Sequence, residues 1–97
     1  MELNIISPQQ VIFNGEVDSV TVPGKTGEFQ MLNNHAAIVS SLVKGTVKIK
    51  VHSKSVIDFE NLSGELKKSP ANELVYLLEI EGGVVEMSNN KITILAS

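Results

Sequence analysis

IISPQQVIFNGEVDSVTVPGKTGEFQMLNNHAAIVSSLVKG, running from Ile5 to Gly45, sets short apolar runs between glycine, proline and asparagine turns. Val20 and Val22 alternate with Thr21, which is the period of a half-buried strand. Pro23-Gly24 then interrupts the ladder, because proline has no N–H to give and glycine accepts positive φ, so a tight turn is expected there. Glu28-Phe29-Gln30-Met31-Leu32 reads as a second strand with Phe29 and Met31 on one face. Asn33-Asn34 supplies residues that tolerate left-handed geometry, His35 leaves that turn, and a third apolar segment runs from Ala36 to Val43.

The rest of the chain repeats the pattern. Val47, Ile49 and Val51 alternate with Lys48, Lys50 and His52, giving one core face and one lysine-bearing solvent face. Leu74 to Leu78 is apolar on both faces, as in a strand lying between two sheets, and Ile92 and Ile94 alternate with Lys91 and Thr93. Asn89-Asn90 predicts a hairpin turn between these last elements. Short strands at close, regular spacing with turn signals between them argue against βαβ units. The expected architecture is all-β, a flattened β-sandwich or barrel of about ten short strands forming a single domain over residues 1–97. Ser53 to Asn72 is the irregular part: a strand at Val56 to Phe59, an enlarged loop or hairpin over 53–73, and a short helical turn around Glu60 to Lys67 are the alternatives.

Composition narrows the function. With 97 residues and 42% hydrophobic content the chain has the material for one ordinary core. A net charge of -3, with all 8 basic side chains being lysine, disfavours nucleic acid, since no guanidinium fork is available for bidentate phosphate recognition. The absence of cysteine removes disulfides and thiolate metal sites. MELNIISPQ lacks the basic start and apolar core of a secretory signal, and no apolar run approaches the ~18 residues of a membrane helix. Membrane association is therefore expected only through a partner.

Taken in order, Ile6-Ser7, Phe13-x-Gly15, Val20-x-Val22-Pro23-Gly24, Gly27-Glu28, Asn34-His35-Ala36, Gly45, Gly82-Gly83-Val84-Val85-Glu86-Met87 and Asn90-Lys91-Ile92-Thr93-Ile94-Leu95-Ala96 form a recognisable series. The series resembles the amino-terminal domain of the F-type ATP synthase epsilon subunit, called delta in mitochondria. It covers both ends of the chain and leaves His52 to Glu73 unmatched. The resemblance implies a non-catalytic rotor component of the central stalk, joining the gamma subunit to the membrane-embedded c-subunit ring and coupling proton or sodium transport to ATP synthesis. It implies a peripheral position on the cytoplasmic face of the cell inner membrane, with no cofactor, metal or small-molecule substrate. Carried over residue by residue, Glu28, Asn33 and Asn34 are the expected contacts to the c-ring, and Ser7, His35, Ser40 and Thr46 those to gamma. Bacterial members carry a carboxy-terminal helix pair. This chain stops at Ser97 after its last strand, so a naturally short subunit is expected and the roles of those helices are not transferred.

Each candidate has a plainer reading. Pro23-Gly24-Lys25-Thr26 superficially fits the end of a phosphate-binding loop, but Ser19 stands where the first glycine belongs, and a strand rather than a helix follows. A lysine-tipped turn is the simpler account. His35 and His52 have no companions at metal-ligand spacing; His52 falls on the solvent parity of its strand, and His35 is expected to bond the Asn33-Asn34 backbone. Ser7, Ser40 and Ser41 lack the His–Asp partners of a nucleophile. Glu28 at a strand rim would ordinarily just keep an edge soluble. The rival reading from another class is a stand-alone β-sandwich protein-binding module with no role in ATP synthase.

Overall fold

The computed structural model describes residues 1–53 and 66–97. The strand expected at 56–59 and most of the alternative helical turn at 60–67 lie outside those residues. Among the described residues all regular structure is β: β1 Glu2–Ile6, β2 Val11–Glu16, β3 Ser19–Gly24, β4 Gly27–Leu32, β5 Ile38–Leu42, β6 Gly45–Lys50, β7 Lys67–Lys68, β8 Val75–Ile80, β9 Gly83–Ser88 and β10 Lys91–Ala96. The expected all-β architecture of about ten short strands is what the chain forms.

The strands make one curled sheet that folds into two layers, β2-β1-β10-β9-β5 and β4-β3-β6-β8-β7. The layers join at a corner where Gly24 of β3 pairs with Leu42 of β5. Every other neighbouring pair is antiparallel except β1 with β10, which runs parallel in the register Leu3↔Ile92 and Ile5↔Ile94. Alternation works as the residues suggested. Val20 and Val22 of β3 and Val47 and Ile49 of β6 are fully buried, as are Leu3, Ile5, Val85, Ile92 and Ile94 from the other layer, and all belong to one core. Each such side chain contributes about 1.5–3 kcal/mol relative to exposure. Tyr76 is buried beside them, on the inward parity of β8.

The expected turn at Pro23-Gly24 is displaced. Both residues belong to β3, and the reversal falls on Lys25-Thr26, with Gly24 opposite Gly27. Proline is tolerated because its place opposite Glu28 does not call on an N–H, and its carbonyl instead accepts from Val43 N–H at 2.9 Å. Gly24 is required for a different reason: a Cβ there would sit 2.7 Å from the Gly27 carbonyl oxygen. The asparagine turns are as expected. Asn34 has φ 64°, and Asn89 and Asn90 have φ 52° and 62°, the paired positive values of a type I′ hairpin. β8 begins at Val75, one residue later than the apolar run suggested, and Leu77, on its outward parity, is only half-buried.

Candidate functional site

Successive connections alternate between the two ends of the sandwich. At one end the 33–37 loop meets the β9–β10 turn: Asn34 N–H donates to Asn90 Oδ1 at 2.6 Å, and Asn90 Nδ2 donates back to Asn34 Oδ1 at 3.3 Å. Glu2 N–H donates to the Asn90 carbonyl, which ties in the start of β1. Left-handed backbone at Asn34 and Asn90 aims both amides at each other, which is why asparagine serves here better than glycine. Asn34, His35, Ala37, Ser88, Asn89 and Asn90 line a shallow polar hollow over this junction. His35 is exposed; its N–H donates to the Leu32 carbonyl at 3.1 Å and its ring Nδ1 lies 2.8 Å from the Ala36 carbonyl, rather than bonding the Asn33-Asn34 backbone as expected. His52 is exposed, 3.7 Å from Asp18.

Glu28 is not part of this end. It lies at the start of β4 and Asn33 follows the end of that strand, so the two are roughly 16 Å apart along the chain direction. Glu28 projects from the outer face of its layer with Lys48 Nζ at 3.7 Å, both half-exposed. The residues expected to meet gamma are also dispersed. Ser7 sits in the β1–β2 turn, where it caps the reversal through the Gln10 N–H and carbonyl. Ser40 lies mid-strand in β5 with its hydroxyl donating to the Ser41 carbonyl. Thr46 opens β6 in the opposite layer and donates to the Glu79 carboxylate. His35 belongs to the far end.

The feature that sequence reasoning did not single out is an apolar row on the outer face of the β2-β1-β10-β9-β5 layer. Register places Val11, Ile6, Leu95 and Val84 side by side across four strands, with Val39 of β5 one step diagonal. All are exposed, Val39 at 69% and Leu95 at 54%. The row spans roughly 15–20 Å at the usual strand spacing. Ser7, Pro8, Ala96 and Ser97 extend it at one side. The next rows toward the Asn34–Asn90 end are polar: Asn14, Asn4, Thr93 and Glu86, then Glu16, Glu2, Lys91 and Ser88. The signal was in the parity: Ile92 and Ile94 fix the inward positions of β10, which makes Leu95 an apolar residue facing out, and Val84 stands likewise beside Val85.

Among the described residues no group of three or more metal-ligating side chains comes together, and no helix is long and apolar enough to cross a membrane. Lys25 tips a strand-to-strand turn, so the phosphate-loop reading has no helix terminus to act through. The described residues form a sandwich with an exposed apolar flank and a polar end. The chain belongs to the family of the ATP synthase delta/epsilon chain β-sandwich domain, whose model matches residues 1–60. It is 36% identical over 95 residues to the ATP synthase epsilon chain of Leptospira interrogans, and 34% identical over 94 residues to that of Chlorobium limicola. The match takes in 98% of this chain and 59% of the first relative, and 97% and 85% for the second. The chain therefore spans about three fifths of the length of the first relative. In fold it is similar to a chain in the cryo-electron microscopy structure of the Tetrahymena thermophila mitochondrial ATP synthase central stalk and c-ring, with TM-score 0.69 over 99% of this chain and 62% of that one at 21% identity.

Proposed function

We propose that this chain is the sandwich of an epsilon subunit in an F-type ion-translocating ATP synthase, a non-catalytic rotor piece that joins the gamma subunit to the c-subunit ring. It transmits torque, coupling ion transport to ATP synthesis, and makes or breaks no bond itself. The observation that carries the reading is the combination of an apolar row on one outer face with a polar, asparagine-stiffened end, in a fold whose relatives are epsilon chains across nearly the whole of this sequence. Two unlike surfaces on one rigid body are what a coupling wedge between two partners needs.

In this reading gamma packs on the apolar row, with Ser7 and Ser40 at its margins and His35 and Thr46 as outlying contacts. The ring's polar loops meet Asn33 and Asn34, with Glu28 a second point of attachment along β4. A carboxylate accepting charge-assisted hydrogen bonds there is worth about 1–3 kcal/mol, enough to set register. The subunit is peripheral, held at the cytoplasmic face of the inner membrane by its partners. The test is reconstitution: the purified chain shows no ATP turnover and is retained by a gamma–c-ring subcomplex. A chain that gamma fails to retain ends this proposal.

A further inference from the structure

Asn34 and Asn90 are 56 residues apart in sequence, yet two hydrogen bonds join them, at 2.6 Å and 3.3 Å. The first of these bonds fixes which way round both side chains sit. A side-chain amide carries an acceptor oxygen and a donor nitrogen in nearly the same shape, so its orientation follows from its partners. A backbone N–H can only donate. The Asn34 N–H therefore requires Oδ1 of Asn90, which turns Asn90 Nδ2 toward the Asn34 side chain, where only Oδ1 can receive it. Asn34 is left with its Nδ2 group directed away from Asn90, and that donor takes no partner among the described residues.

The clasp is anchored on one side. Asn90 is half-buried, its carbonyl accepts from Glu2 N–H at 3.0 Å, and the next residue, Lys91, opens β10 opposite Ser88. Asn34 is exposed, in the loop between β4 and β5. The β9–β10 turn is thus the fixed member and the 33–37 loop the one that is held. No carboxylate lines the hollow over this junction among the described residues, and His35 bonds within its own loop, to the Leu32 and Ala36 carbonyls. Asn90 alone sets the direction of the Asn34 amide there.

We propose that Asn90 is a positioning residue for the ring contact, which makes Asn34 offer a hydrogen-bond donor to an oxygen acceptor on a loop of the c-ring. The inference rests on the functional reading above and deepens it by naming the chemistry of the group received. A backbone carbonyl, a side-chain amide oxygen or a carboxylate fits. A lysine or arginine head at Asn34 does not, because the Asn34 oxygen faces Asn90. Asn90 touches no ring group itself and acts through Asn34.

Two aspartate variants of the full chain read the polarity of this contact. Asn34→Asp keeps an acceptor for Asn90 Nδ2, so the loop stays clasped, but it removes the outward donor. Asn90→Asp still accepts from the Asn34 N–H and draws Asn34 Nδ2 inward, which turns the Asn34 oxygen out. Aspartate tolerates left-handed backbone, so both variants are expected to unfold thermally as the parent does. Titrated onto the gamma–c-ring subcomplex, each is expected to bind about tenfold more weakly than the parent, while affinity for gamma alone is unchanged. Failure of the unaltered chain to bind the subcomplex ends the functional reading and this inference together. If the unaltered chain binds and both variants match it, this inference alone is lost. Tighter binding by either variant would show a cation or donor on the ring at Asn34, and equal weakening on gamma alone would move the contact to gamma; each overturns the assignment. Early thermal unfolding of both variants would contradict the donor and acceptor order of the clasp and overturn it as well.

Discussion

The outer face of the β2-β1-β10-β9-β5 layer and that of the β4-β3-β6-β8-β7 layer are built by the same alternation, but only the first gathers its exposed apolar residues into a row across its strands. The first carries Val11, Ile6, Leu95, Val84 and Val39 in the open. The second carries Lys48, Lys50, Glu28, Glu79 and Thr46, with its charges answered locally by Lys48–Glu28 and by Thr46 on Glu79. A sandwich needs only its inner faces to be apolar, so an exposed apolar row on an outer face is a departure that folding alone does not require. The two outer faces therefore differ in what they offer: one an exposed apolar row, the other charges that are paired locally.

The contrast between buried and open faces is greatest within a single strand. Ile94 and Leu95 are neighbours in β10, the former fully buried and the latter 54% exposed. Ile94→Ala is expected to cost about 2–5 kcal/mol in denaturant unfolding, while Leu95→Ala stays within about 0.5 kcal/mol and instead loosens gamma. Equal losses from both would mean that Leu95 is part of the core and that the outer row is not a free surface. Placing a charge in the row comes next: Val84→Lys is expected to weaken retention on gamma by about 1–3 kcal/mol, against no change for Lys50→Ala on the other layer. Matching effects on the two faces would erase the distinction between them. A smaller effect belongs to the polar end. Asn90→Gly keeps the left-handed turn but deletes the amide that holds the 33–37 loop, and about 1 kcal/mol of stability should go with it in thermal unfolding. Smallest is Lys48→Ala, since its pair with Glu28 is half-exposed at 3.7 Å; a loss within about 0.5 kcal/mol is expected in denaturant unfolding, and a larger one would show that the pair is better shielded than its exposure indicates.

Most of the fold was legible because inward positions repeat every second residue. Val20 with Val22, Val47 with Ile49 and Ile92 with Ile94 declared their strands and their buried faces without any neighbour being known, and Asn89-Asn90 declared its turn through backbone preference alone. Pro23-Gly24 misled because proline ends a ladder only when its missing N–H is needed, and that depends on which groups of β3 face β4, a tertiary fact. The apolar outer row was harder. Val84 and Leu95 look like ordinary strand residues until the parity of their neighbours is fixed, and Ile6 and Val11 join them only through the β1–β10 and β1–β2 registers. Glu28 and Asn34 lie close in sequence yet at opposite ends of β4, since strand length, rather than sequence distance, separates them.

The parallel pairing of β1 with β10 places the described strand furthest along the sequence in the middle of its layer, between β1 and β9. Until β10 is available to pair, the hairpin of β1 and β2 has no described strand to join, and closing that long loop is expected to set the pace of folding. The expected behaviour is a single late, cooperative collapse rather than growth from the amino terminus. Nascent chains arrested before Lys91 has emerged should remain open to protease along their whole length, and become resistant together once the tenth strand is free.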